Sequence, residues 1–63
     1  MSTKEIEAYF LNHDLPWFEK IQNAKSDLDA EIYAVTILAH DGYVLGDFSM
    51  DDLEEAVKNI RSA

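Results

Sequence analysis

Between Ala39 and Glu54 the chain spells out the end of one helix and the start of another, and a 63-residue domain has little freedom once both are placed. Ala39-His40-Asp41-Gly42-Tyr43 is a stop, because glycine takes the left-handed conformation that closes a helix C-terminus. Phe48-Ser49-Met50-Asp51-Asp52-Leu53-Glu54 is a start. Ser49 is the N-cap, its hydroxyl placed to accept from the Asp52 amide, and Asp52 stands where a longer acid would close a capping box. Phe48 and Leu53 have the spacing of a hydrophobic staple. Asp51, Asp52 and Glu54 in the first turn, with Lys58 and Arg61 in the last, follow the order the helix dipole favours.

The remaining helices are punctuated in the same way. Ser2-Thr3-Lys4-Glu5 has capping-box spacing and precedes Ile6, Tyr9, Phe10 and His13 on one face, ending near Asn12 or His13. Asp14-Leu15-Pro16-Trp17 restarts the chain, with proline in the first turn and Asp14 as cap, and Trp17, Phe18, Ile21 and Ala24 form the next apolar stripe. Ser26-Asp27 opens a third helix, in which Leu28, Ile32, Val35 and Ala39 form one apolar stripe, widened by Tyr33 and Ile37. Residues 43–47 link it to the fourth.

Residues 32–38 also carry the β-branched and aromatic composition of a strand, and Asp41-Gly42 followed by Tyr43-Val44-Leu45 has the form of a hairpin. A strand there would be apolar on both faces, more than so small a domain can cover, while Ala30, Ala34 and Ala39 suit a helix. The expectation is therefore one all-α domain over residues 1–63, a bundle of three to four short helices. The alternative is an α+β fold with a hairpin at about residues 32–46.

A chain of this length buries only about 60% of the surface its unfolded form exposes. It has no cysteine, hence neither disulfide staples nor a cysteine–histidine zinc cluster, and a stabilising partner becomes the more natural expectation. The N-terminus lacks the basic and apolar regions of a signal peptide and no uncharged stretch could span a bilayer, so a cytoplasmic protein is expected. Thirteen acidic residues against five basic ones leave a net charge of −8, and no Lys or Arg occurs from Ser26 to Val57. Such a charge argues against direct contact with nucleic acid or an anionic membrane and favours a basic groove on another protein.

Reaction chemistry has little to build on. His13 and His40 are the groups that titrate near neutrality, and neither has a serine or cysteine at nucleophile spacing; both fit helix-end or surface roles. Asp41, Asp47, Asp51 and Asp52 depart from the calcium-loop pattern, and the two glycines, Gly42 and Gly46, are isolated and form no glycine-rich phosphate loop. The expectation is no catalytic, cofactor-binding or metal-binding residue and no enzyme activity. Most of Tyr9, Phe10, Trp17, Phe18, Tyr33, Tyr43 and Phe48 are expected in the core, since so small a domain has little else of comparable area to bury. Trp17 and Phe18 point about 100° apart on a helix, which leaves one of them as a surface anchor.

Phe10-Leu11, Trp17-Phe18-Glu19-Lys20-Ile21, Glu31-Ile32-Tyr33-Ala34-Val35 running to Ala39-His40-Asp41-Gly42-Tyr43, and Phe48-Ser49-Met50-Asp51-Asp52-Leu53-Glu54-Glu55-Ala56 together resemble the nif-eleven-type leader domain. The resemblance spans nearly the whole chain. It implies a small helical recognition element at the N-terminus of precursors of ribosomally made, post-translationally modified peptides, gripped by a modifying enzyme, or a carrier extended and processed at its C-terminus. Three departures accompany it: a shorter stretch before Trp17, a longer link through Val44-Leu45-Gly46-Asp47, and an end at Ala63 without a double-glycine cleavage site or a core peptide. The resemblance thus implies a carrier processed at Ala63, a truncated piece, or a stand-alone relative.

The expected role is a leader or carrier whose exposed apolar stripe, with Phe10, Trp17, Ile21, Phe48 and Leu53 as contacts, docks into its enzyme. A second reading uses the acidic face of Asp47, Asp51, Asp52, Glu54 and Glu55: an inhibitor of the anti-restriction or anti-CRISPR type that occupies a nucleic-acid channel. A third is a helical interaction module or antitoxin-like protein that forms a homodimer through its stripe.

Overall fold

Three of the four helices begin on a serine whose hydroxyl satisfies an orphan amide. In the computed structural model, which describes residues 1–63, α1 spans Thr3–His13, α2 Leu15–Gln22, α3 Asp27–His40 and α4 Met50–Ser62. Ser2 Oγ accepts from Glu5 N at 3.2 Å while Glu5 Oε1 accepts from Ser2 N at 2.9 Å, a closed capping box. Ser26 Oγ accepts from Asp29 N and Ser49 Oγ from Asp52 N, each at 3.1 Å. Each such cap stabilises its helix by about 1 kcal/mol.

Two expected caps are made differently. Asp14 makes no side-chain cap for α2; its carbonyl accepts from Trp17 N and Phe18 N, and Pro16 sits in the first turn, where its missing N–H costs nothing. Asp52 does not close a box around Ser49 either. Its carboxylate is too short to reach back and instead accepts from Thr3 Oγ1 at 3.0 Å, joining the start of α1 to the start of α4.

The α3 stop is a Schellman motif. Tyr43 N donates to Leu38 O at 2.9 Å, Gly42 N donates to Ala39 O at 3.1 Å, and Gly42 has φ +97°. The chain after Gly42 then forms a tight turn, with Asp47 N on Val44 O and Val44 N on Asp47 Oδ2, rather than the second arm of a hairpin. The alternative hairpin at 32–46 is therefore excluded: 27–40 is helix, and the single isolated bridge joins Leu45 and Phe48. The fold is all-α.

The twelve-residue core draws on every helix: Ile6 and Phe10 from α1, Ile21 from α2, Ala30, Ala34, Ile37 and Leu38 from α3, and Leu53, Ala56, Val57 and Ile60 from α4, with Phe48 from the preceding link. Helices α2 and α4 each pack against all three others, whereas α1 and α3 do not pack on each other. Burial of each large side chain stabilises the fold by about 1.5–3 kcal/mol.

Of the apolar stripe read on α3 and its flanks, the fold buries Ile37 and leaves Leu28 and Ile32 outside. At 100° per residue, Ala30, Ala34, Ile37 and Leu38 fall on one side, and Leu28, Ile32, Val35 and Ala39 on nearly the other. Leu28 and Ile32 are 66% and 52% exposed. The helix is apolar around much of its circumference, so periodicity alone does not select a face. Ala30 and Ala34 let neighbouring backbones approach closely, and a chain of four short helices has no further layer to cover Leu28 and Ile32.

Candidate protein-docking face

Sequence reasoning assigned docking to Phe10, Trp17, Ile21, Phe48 and Leu53, and the fold places four of them where no partner reaches. Phe10, Ile21 and Leu53 are fully buried and Phe48 nearly so. Their physical role is the core, since they are the residues that bring α1, α2 and the α4 entry together. Trp17 and its neighbour Phe18 are both half-buried, so neither is left fully outside as an anchor. Trp17 stands edge-on to Tyr33 with ring centroids 6.1 Å apart, and Lys20 Nζ lies 4.6 Å from the indole centroid, a cation–π contact. These residues, with Lys25 and Asp29, line a shallow groove between α2 and α3.

The apolar surface missed as surface is on α3. Leu28, Ile32 and Val35, with Thr36 and with Met50 from the first turn of α4, line an open groove. Leu28, Ile32 and Met50 are all exposed, and the core is closed without them. The signal is present in the sequence as the i, i+4, i+7 spacing of Leu28, Ile32 and Val35.

Beside that stripe runs an acidic groove lined by Asp27, Glu31, Asp51, Glu54, Glu55 and Lys58. Glu31 borders both grooves. Around α3 the order is thus core, then Asp27 and Glu31, then the apolar stripe. Glu31, Asp51, Glu54 and Glu55 take part in no salt bridge, while Asp27 Oδ1 is held by Arg61 Nε at 2.8 Å.

The expected acidic face of Asp47, Asp51, Asp52, Glu54 and Glu55 is divided by the fold. Asp51, Glu54 and Glu55 share the groove, joined by Asp27 and Glu31 from α3, two positions that proximity in sequence did not reveal. Asp52 is bound to Thr3, and Asp47 is bound to Val44 N while its carbonyl accepts from the Met1 amine. Ala63 lies at the end of α4 beside Lys4, Leu11, Phe18 and Ile60.

At the other end of the molecule Tyr9 donates its hydroxyl to Asp41 Oδ2, linking α1 to the α3 stop. That hydrogen bond, followed by burial and the carboxylate charge, pushes the Tyr9 phenol up to about 12. The same bond, with a further one from His40, holds the Asp41 carboxyl below its ordinary value. Tyr43 and His13 pack on the Tyr9 ring, and the His40 ring is largely in solvent, 3.3 Å from Asp41 Oδ1. Both histidines are thus helix-end groups in contact with neighbours that also serve the fold. No helix is long and apolar enough to cross a membrane.

No known protein family matches the chain, and neither does any curated protein or solved structure.

Proposed function

We propose that this chain is a non-catalytic recognition domain of the leader or carrier kind, held by a peptide-modifying enzyme through its α3 face in the cytoplasm. The observation that supports the reading is the exposed stripe of Leu28, Ile32 and Met50, flanked by half-buried Val35, on a domain whose core is already complete. Large apolar side chains grouped beside a polar border mark a surface that another protein covers. The resemblance of the chain to nif-eleven-type leaders, from Phe10-Leu11 to Ala56, supplies the class of partner.

The intact mass of the protein from its native cells, with fragmentation of its C-terminal peptide, tests the reading. Residues added or removed at or beyond Ala63 by a processing step support a leader or carrier; an invariant, unprocessed chain moves the assignment to a stand-alone binding protein.

A second reading has its own observation. The carboxylates of Asp27, Glu31, Asp51, Glu54 and Glu55 lie along one groove, an arrangement suited to an acidic inhibitor that fills a nucleic-acid channel. Binding of that kind collapses with added salt, because charges separated by more than a Debye length, about 10 Å at 0.1 M, are screened. Docking dominated by the apolar stripe persists.

A further inference from the structure

The acidic groove and the apolar stripe share Glu31, and that juxtaposition specifies a partner more narrowly than either feature does. We infer that the α3–α4 face is one composite site for an amphipathic basic helix of another protein. The inference rests on the recognition-domain reading above and names the chemistry of what is recognised.

The stripe from Leu28 to Ala39 extends about 16 Å along α3, the length of three helical turns. A helix laid along it presents apolar residues at i, i+3, i+4 and i+7 to Leu28, Ile32, Val35 and Met50. The flank of such a helix on the α4 side then lies over Glu31, Asp51, Glu54 and Glu55, carboxylates that make no salt bridge within the chain. Lysine or arginine one position away from the apolar seam meets that charge, and an acidic flank is repelled. Lys58 is the one cation lining the groove. A second copy of this chain is a poor occupant for the same reason: α3 against α3 brings the Glu31 carboxylates and their neighbours together in a molecule of net charge −8.

The test is a titration of the full ¹⁵N-labelled chain, followed by amide chemical shifts, with two synthetic helical peptides. Both carry leucine at i, i+3, i+4 and i+7; one has lysine and the other glutamate at the remaining positions. The inference predicts that the lysine peptide shifts the amides of residues 28–36 and 50–55. Ile32→Ser, and separately Glu31→Gln with Glu54→Gln and Glu55→Gln, each weaken binding about tenfold, the scale of one apolar contact or a few partly screened charge pairs. The glutamate peptide leaves the same amides unmoved.

Equal binding of both peptides at α3 overturns the basic specificity while retaining an apolar docking face. Shifts centred elsewhere, no binding of the lysine peptide, or concentration-dependent shifts of α3 without any peptide overturn the composite site. None of these results alters the mass of the native chain, so failure here is distinguishable from failure of the leader or carrier reading.

Discussion

Arg61 donates through Nε to Asp27 Oδ1 at 2.8 Å, and so fastens the last turn of α4 to the first turn of α3. The same guanidinium donates through Nη1 to Ile21 O, in the last turn of α2, and to Ala24 O, in the link that follows, both at 2.9 Å. One side chain thus joins three helices. It also neutralises Asp27 and leaves the charge of the acidic groove to Glu31 and the α4 carboxylates.

Arg61→Met is expected to lower stability by about 1.5–3 kcal/mol, the range for charge-assisted hydrogen bonds. Asp27→Asn removes only the more exposed partner and should cost at most about 1 kcal/mol. Urea denaturation of the two variants checks the ordering, since equal losses would place the weight on the ion pair rather than on the Ile21 and Ala24 carbonyls.

The α3–α4 junction gives a second measure. Ser49→Ala should cost about 1 kcal/mol through loss of the Asp52 amide's acceptor. Gly42→Ala should cost about 1–2 kcal/mol, the penalty of a side chain in left-handed backbone. Nothing lies within 4 Å of a Cβ placed there, so the loss is one of backbone conformation and not of crowding. Thermal melts of the two single variants and the double variant read these effects.

Opposite outcomes are expected for two apolar truncations. Leu53→Ala empties a fully buried position and should cost about 2–5 kcal/mol, enough to unfold much of so small a domain. Ile32→Ser, on an exposed position, should leave stability within about 0.5 kcal/mol. Circular dichroism melts separate them; a large loss for Ile32→Ser would mean that the stripe is core.

Stability should also report the Tyr9–Asp41 bond through pH. The Tyr9 phenol is raised in the folded state to about 12 from 10.0, so its contribution is complete below pH 10 and is lost as pH rises through about 12. Asp41 is lowered, so its contribution is present above the ordinary carboxylate range and fades as pH falls through its depressed value. Tyr9→Phe should flatten the alkaline fall and part of the acid one in denaturant midpoints measured across pH.

The elements were legible where a local rule suffices. Ser2 with Glu5, Ser26, Ser49 and Gly42 each settle a helix end within a few residues, and the structure uses them as the sequence indicated. What local spacing could not show was orientation. In α3 the apolar residues surround much of the helix, and only the arrival of α2 and α4 decides that Ala30 and Ala34 face inward and Leu28 and Ile32 outward. The candidate contacts Phe10, Ile21, Phe48 and Leu53 lie instead on faces that α1, α2, α4 and the link turn into the core, while the exposed stripe is on α3. The acidic face was half legible, because Asp51, Glu54 and Glu55 are neighbours on α4, whereas Asp27 and Glu31 join them only across the α3–α4 contact.

The most direct measurement of the docking face is site-specific photocrosslinking in the native cells, with the crosslinker placed at Ile32 in one strain and at Asn12, on α1, in another. A discrete covalent adduct with one larger protein from position 32 and none from position 12 is the predicted result. An adduct of the same protein from Asn12 alone would contradict recognition through α3.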